Sequence, residues 1–222
     1  EGHLPDAELT RVKENLGFAV RAMDASPGAS GAVPDPAPVA EPRRVSLLHA
    51  THRAAEDALA VRRAWLDRAD RPDLVEHLFA IDSTDHETIA ATDGLARVIT
   101  PKVDGGVTAV QNWNAAAAAS SGELLVVIAD DLYPPEGWDS TLAAIIGDLD
   151  PEVSAFAVKV RDSPVDDVLL RHPVLSRAFF ARHGLWSPTF RGLYCDNDLT
   201  LRAFWHAAIL DGSALVLDHR HP

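Results

Sequence analysis

Two adjacent carboxylates, Asp130 and Asp131, stand directly behind the apolar run 124 to 129 and just ahead of a rigid Pro134-Pro135 turn. Side by side in a crevice they repel each other, and a hard divalent cation is the economical partner for such a pair. The same two residues also fit a solvated turn, where Asp is common. Other acids hold comparable places: Asp82 and Asp85 follow the apolar run 75 to 81, and Asp196 and Asp198 open a helical stretch behind Tyr194-Cys195. A carboxylate at a helix start suits capping of the free N–H groups of the helix. Asp218-His219-Arg220-His221 follows the apolar run 214 to 217. Residues two apart on a strand project to one side, so His219 and His221 are candidate ligands of a mixed oxygen and nitrogen metal site; a polar, frayed tail is the competing reading.

Elements must bring these groups together. Short apolar runs at 45–49, 75–81, 96–99, 124–129 and 153–158 read as strands, and stretches near 55–69, 107–120, 138–147, 175–183 and 197–208 read as helices. That alternation predicts a largely parallel α/β sheet with helices on both faces, and ligands of such sheets bind beyond the carboxyl ends of the strands. The polar clusters His49-Ala50-Thr51-His52-Arg53, Asp82-Ser83-Thr84-Asp85 and Asp130-Asp131 then converge on one edge. Asn112, Trp113 and Asn114 open an alanine-rich helix, and Asn114 is a candidate ligand contact. Residues 161–167 read as a mobile loop, and no partner is visible for His172 or His183.

Upstream, Leu9, Val12, Leu16, Ala19 and Met23 form one apolar stripe at helical spacing, and residues 25–42 are rich in Pro, Ala and Gly. The expected organisation is therefore an amphipathic helix over 1–24, a linker over 25–42 and a catalytic-type domain over 43–222.

Of the 222 residues 47% are hydrophobic, enough for a sizeable core, and a single cysteine excludes a disulfide framework and a thiolate zinc cluster. No apolar run approaches the ~20 residues that span a bilayer, and no targeting segment is visible, so the expected compartment is the cytoplasm. A net charge of -13 argues against broad nucleic-acid binding. A phosphate-bearing ligand would need a local cation to offset this acidic surface.

The ordered set VSLLHATHRA, FAIDSTDHET, VQNWNAAAAASSGELLVVIADDLYPPEGWD, YCDNDLTLRA and DHRHP resembles the GT-A fold of nucleotide-sugar-dependent glycosyltransferases, family 2 type, over most of residues 45–222. The resemblance implies a Rossmann-like, mostly parallel central sheet flanked by helices. It implies that Ala50, Thr51 and Arg53 line the nucleotide site, that Asp82 accepts from the N–H edge of a uracil-like base, and that Asp130 faces sugar or ribose hydroxyls. Asp131 would hold Mn2+ or Mg2+ together with His219 or His221, and Asp196 would be the base that deprotonates the acceptor. Trp186 and Tyr194, near the second acidic motif, become candidate sugar-stacking residues. Three departures stand out: Ala129 fills the first slot of the D-x-D motif, Cys195 replaces the first acid of the E-D-x-D-L motif, and the first loop reads His-Ala-Thr-His-Arg where the family commonly has Pro-Thr-Tyr-Asn.

The function implied is a metal-dependent, inverting transfer of a sugar from a nucleotide-diphosphate donor, UDP-sugar favoured, to a hydroxyl acceptor. Two other readings compete. One is a catalytically silent nucleotide- or sugar-binding module that attaches to a larger assembly, or to its own copies, through the N-terminal helix. The other is a nucleotidylyltransferase, for which the first strand lacks a Gly-rich loop carrying a basic residue.

Overall fold

The computed structural model describes residues 42–102, 108–165 and 167–220. The expected N-terminal helix, nearly all of the linker, and His221 lie outside the described residues.

In chain order the elements are β1 (Val45–Thr51), α1 (Ala55–Asp67), β2 (Val75–Asp82), α2 (His86–Ala91), β3 (Arg97–Thr100), α3 (Ala109–Ala119), β4 (Leu124–Ile128), β5 (Leu132–Tyr133), α4 (Trp138–Ile146), β6 (Phe156–Arg161), β7 (Val174–Ser176), α5 (Arg177–His183), α6 (Cys195–His206), β8 (Ala208–Val216) and β9 (Asp218–His219). A seven-stranded sheet runs β3-β2-β1-β4-β7-β6-β8, and β5 and β9 form a separate two-stranded sheet. β1 lies parallel to β2 and to β4, and β7 is antiparallel to both of its neighbours. The mixed, mostly parallel sheet with helices on its faces agrees with the expected class.

β1 and β4 are buried along their whole length, and β4 reads as an unbroken apolar run, because a parallel strand has a helix layer on each side. Period-two alternation sorts their side chains between two cores. Leu48, Leu125 and Val127 pack with Ala116 and Ala117 of α3, Phe179 of α5 and Leu199 of α6. Leu47, Leu124, Val126 and Ile128 pack on the opposite face with Val61 and Trp65 of α1 and Trp138 and Leu142 of α4. The alanines of α3 therefore serve close helix-to-sheet approach.

Two tryptophans tie down the chain that leaves the acidic pair. Trp65 Nε1 donates to the Leu132 carbonyl at 2.8 Å, Trp138 Nε1 donates to the Trp65 carbonyl at 2.9 Å, and the two rings meet edge to face at 4.9 Å. Both indole N–H groups are thereby satisfied in a fully buried setting, where an unpaired one would cost about 1–3 kcal/mol.

Several elements differ from the expected ones. The predicted helix over 175–183 begins at Arg177, because residues 174–176 are spent on β7, and Ser176 Oγ accepts from both Phe179 N and Phe156 N at 3.0 Å. β5 and β7 are not among the expected strands, and β8 begins at Ala208, well ahead of the apolar run 214–217. β8 is an edge strand with Asp211, Gly212 and Ser213 in its middle, a composition that hides its pairing with β6.

Candidate active site

The strands β2, β1 and β4 are adjacent and parallel, so their polar exits share one edge. In register, His49 of β1 stands opposite Phe79 of β2 and Ile128 of β4. Asp130 lies two residues beyond Ile128 and His77 two residues before Phe79, so all three polar side chains share a face. His49 Nε2 is 2.9 Å from Asp130 Oδ1, and His49 Nδ1 is 3.0 Å from His77 Nε2. Both histidines are buried, His49 completely. Phe79 packs against the two rings at 5.1 and 4.4 Å between centroids. Trp113 Nε1 donates to the Ile128 carbonyl at 2.9 Å and pins the strand end that carries the acids.

β1 continues to Thr51, so His49, Ala50 and Thr51 are strand residues rather than loop residues. Ala50 and Thr51 are buried, and Thr51 Oγ1 has no hydrogen-bond partner among the described residues. Arg53 follows with φ +53°, a left-handed turn that brings its N–H to Asp85 Oδ2. Asp85 Oδ1 accepts from Thr88 N and caps α2. Burial alone would raise the Asp85 carboxyl, but the N–H donors of Arg53 and Thr88 hold it below the ordinary value. Asp82 is 6% exposed at the end of β2, and its Oδ1 accepts from both the N–H and the hydroxyl of Thr84 at 2.7 Å.

Asp131 is supported from elsewhere. β5 and β9 pair antiparallel with Leu132 opposite His219, and Arg220 N donates to the Asp131 carbonyl at 2.8 Å. These backbone bonds bring His219 Nε2 to 3.3 Å from Asp131 Oδ2. The His219 ring meets the His172 ring edge to face at 5.0 Å. His172 in turn donates its backbone N–H and its Nδ1–H to Asp162 Oδ2 at 3.1 and 3.0 Å. Lys159 Nζ approaches the same carboxylate at 3.4 Å. Burial pushes the Asp162 carboxyl up, yet the hydrogen bond from His172 and the charge of Lys159 outweigh it and bring the pKa to about 2. Asp162, expected in a mobile loop, is instead 1% exposed and anchors His172. His183 stacks on His206 at 5.4 Å. The Arg220 guanidinium lies 4.1 Å from the centre of the Tyr133 ring and donates to Asp218.

On α6, Asp196 occupies the first turn with its Oδ1 accepting from Asn197 N at 3.0 Å. Tyr194 enters the helix with φ +68° and is 67% exposed, an open ring beside Asp196. Burial and then the charge of Asp196 raise the Cys195 thiol, which stays protonated and does not replace the missing acid of the motif. Asp198 pairs with Arg202 at 2.8 Å, and Arg202 also donates to the carbonyls of His183 and Leu185. The charge of Asp196 acts on Arg171, which pairs with Asp167.

Two expected contacts take another form. Trp186 is 4% exposed within the core and packs beside Trp113, so its ring offers no open face for a sugar. Asn114 uses both ends of its amide on the backbone of Trp186, with Nδ2 donating to the carbonyl at 2.8 Å and Oδ1 accepting from the N–H at 2.9 Å. Its visible work is to clamp the chain after α5 to α3.

Asp131 and His219 suit a divalent ion. Adjacent ligands of an octahedral ion at about 2.1 Å bond length stand ~3 Å apart, close to the observed 3.3 Å. Among the described residues no group of three His, Cys, Asp or Glu gathers as a metal site.

Solved structures resemble this arrangement. TarS 1-349 of S. aureus matches with a TM-score of 0.57 at 12% identity, covering 76% of this chain and 57% of that one. This is the GT-A glycosyltransferase fold. Glucosyl-3-phosphoglycerate synthase of Mycobacterium tuberculosis, solved with Mn2+, UDP and glucosyl-3-phosphoglycerate, shares the GT-A fold at a TM-score of 0.54 and 16% identity, with 81% of this chain and 73% of that one covered. The mannosyltransferase PcManGT of Pyrobaculum calidifontis, in complex with GDP-Man and Mn2+, matches at 0.53 and 18% identity over 92% of this chain and 66% of its own. The chain thus spans little more than half of the TarS structure. No protein-family model matches the sequence, and no curated protein matches it. Among the described residues of this GT-A chain no helix is long and apolar enough to cross a membrane.

Proposed function

We propose that the chain is a metal-dependent, inverting glycosyltransferase that moves a sugar from a nucleotide-diphosphate donor, UDP-sugar favoured, to a hydroxyl acceptor. One observation carries the reading. At the carboxyl edge of a GT-A sheet, Asp130 and Asp131 are each backed by a histidine of their own, His49 and His219.

Asp131 and His219 would hold Mn2+ or Mg2+, with His221 two residues further on as the other candidate ligand. Bound there, the ion would offset the acidic chain and neutralise the departing nucleoside diphosphate. Ala50, Thr51 and Arg53 would line the nucleotide, and the unpartnered Thr51 hydroxyl offers one hydrogen bond there. Asp82 would accept from the N–H edge of the base, which selects uracil or a similar ring. Asp130 would accept from hydroxyls of the sugar or ribose, and Asn114 would act at the donor through the segment it clamps. Asp196 would take the proton of the acceptor hydroxyl as that oxygen bonds the anomeric carbon on the face opposite the diphosphate, which leaves with the electrons of the broken bond. Tyr194 would stack on the acceptor.

Calorimetry with UDP and GDP, each with and without Mn2+, tests the donor half, and hydrolysis of UDP-glucose and GDP-mannose tests the transfer half. Nucleotide binding that does not depend on metal would overturn the proposal. Ala129 and Cys195 at the motif positions favour the silent binding module as the second reading, which predicts metal-dependent binding with no transfer or hydrolysis of any donor.

A further inference from the structure

A polar row runs from His77 on β2 through His49 on β1 to Asp130 beyond β4, joined at 3.0 and 2.9 Å. It ends at a polar atom, His77 Nδ1, that is buried and has no hydrogen-bond partner among the described residues. We infer that His49 is a positioning residue for Asp130, held by His77 in the tautomer that donates from Nε2, so that one carboxylate oxygen is fixed and the other serves the hydroxyls of the donor. The inference rests on the reading of Asp130 as a donor-binding group.

An ionised carboxylate only accepts, so His49 Nε2 carries a hydrogen. One further hydrogen lies between His49 Nδ1 and His77 Nε2. If it belongs to His77, both rings are neutral and Nδ1 of His77 is a bare lone pair. If it belongs to His49, that ring is a fully buried cation, and neutral His77 must carry its own hydrogen on Nδ1, an N–H facing no acceptor. Buried orphan donors are the rarer and costlier case, so the first arrangement holds. Burial keeps His77 well below the ordinary histidine range, in agreement with a neutral ring. Phe79 packs against both imidazoles and keeps their orientation. A leucine at position 49 would fill the space without any of these requirements. What the histidine adds is one directed N–H at Asp130.

Nitrogen-15 NMR of the imidazoles in the full chain at neutral pH reads the tautomers without any substitution. The expected result is that His49 and His77 are both neutral with hydrogen on Nε2; hydrogen on Nδ1 of either ring, or a charged ring, overturns the arrangement. Calorimetry with UDP-glucose and Mn2+ reads the consequence. His49→Leu should weaken binding roughly tenfold, about 1.4 kcal/mol. His49→Gln, whose amide nitrogen can occupy the Nε2 position, should return to within about threefold of the parent. In an Asp130→Asn background His49→Leu should cost little more, because the two substitutions remove one interaction. Equal losses for Leu and Gln at position 49, or additive losses with Asp130→Asn, would overturn the positioning role. If the parent chain binds neither UDP-glucose nor GDP-mannose, the donor reading fails, and the tautomer spectrum alone decides the histidine row.

Discussion

Asp130 and Asp131 are neighbours in the chain, and each is backed by a histidine with a second histidine behind it. The two supports are chemically opposite. Behind Asp130 the row runs through His49 to His77 across hydrogen-bonded parallel strands and ends on a buried imidazole whose Nδ1 has no partner among the described residues. Behind Asp131 it runs through His219 to His172 by an edge-to-face ring contact and ends on Asp162, an ionised carboxylate with Lys159 beside it. One support orients without adding charge and comes from the rigid middle of the sheet. The other adds negative charge near a proposed cation and is assembled from chain segments far apart in sequence. Adjacent carboxylates thus have different surroundings, and the proposed division between hydroxyl recognition and metal binding rests on that difference.

The sharpest way to separate this pair from the third carboxylate is Asp196→Asn. It should lower transfer by about 10²–10⁴-fold while UDP and Mn2+ binding stay at parent levels, as read by steady-state rates beside calorimetry. Retention of full transfer would move the base elsewhere. Next in size, Asp131→Ala should abolish the Mn2+ dependence of UDP binding, and His219→Ala should weaken Mn2+ affinity by about 10–100-fold. Asp130→Asn should leave Mn2+ affinity nearly intact, and equal metal losses at 130 and 131 would erase the contrast.

Asp162 supplies a smaller and more specific test. Its folded pKa of about 2 lies below the ordinary value of 3.8, so its contribution to stability, about 2 kcal/mol, is complete above pH 4 and is lost as pH falls toward 2. Denaturant unfolding between pH 2 and pH 6 should show this acid-side loss in the parent and not in Asp162→Asn. Mn2+ affinity should also fall several-fold in that variant if His172 steadies His219. Smallest, Asn114→Ala should cost about 1–3 kcal/mol of stability by unpairing the Trp186 backbone, with nucleotide binding changed only slightly.

Much of the sheet's carboxyl edge was legible because it lies where apolar runs stop. A parallel strand buried on both faces must be apolar, and the first polar residue after it marks the crevice; Asp82 and Asp130 are found this way. His49 carried a comparable signal, a polar side chain inside an apolar strand, and the alternation of side chains puts it on the face of Asp130. The support of Asp131 carried no such signal. Asp162 sits in a stretch with the composition of a loop, and its burial depends on His172, ten residues away, and Lys159. Trp186 shows the converse error: position near an acidic motif suggested exposure, but the ring completes the core beside Trp113.

Hydrophobic pattern alone determined the α/β class, the order of the parallel strands' apolar runs and the carboxylates at their ends, because burial between helix layers leaves its mark residue by residue. Tertiary structure decided the pairings: β7 inserted antiparallel into the sheet, β9 laid against β5 so that His219 reaches Asp131, and His77 placed behind His49. Those contacts join segments whose separation in the chain is set by loops, and a hydrogen bond between distant side chains leaves no periodic trace in either one's neighbourhood. It exists only once the register of the sheet has brought the two together.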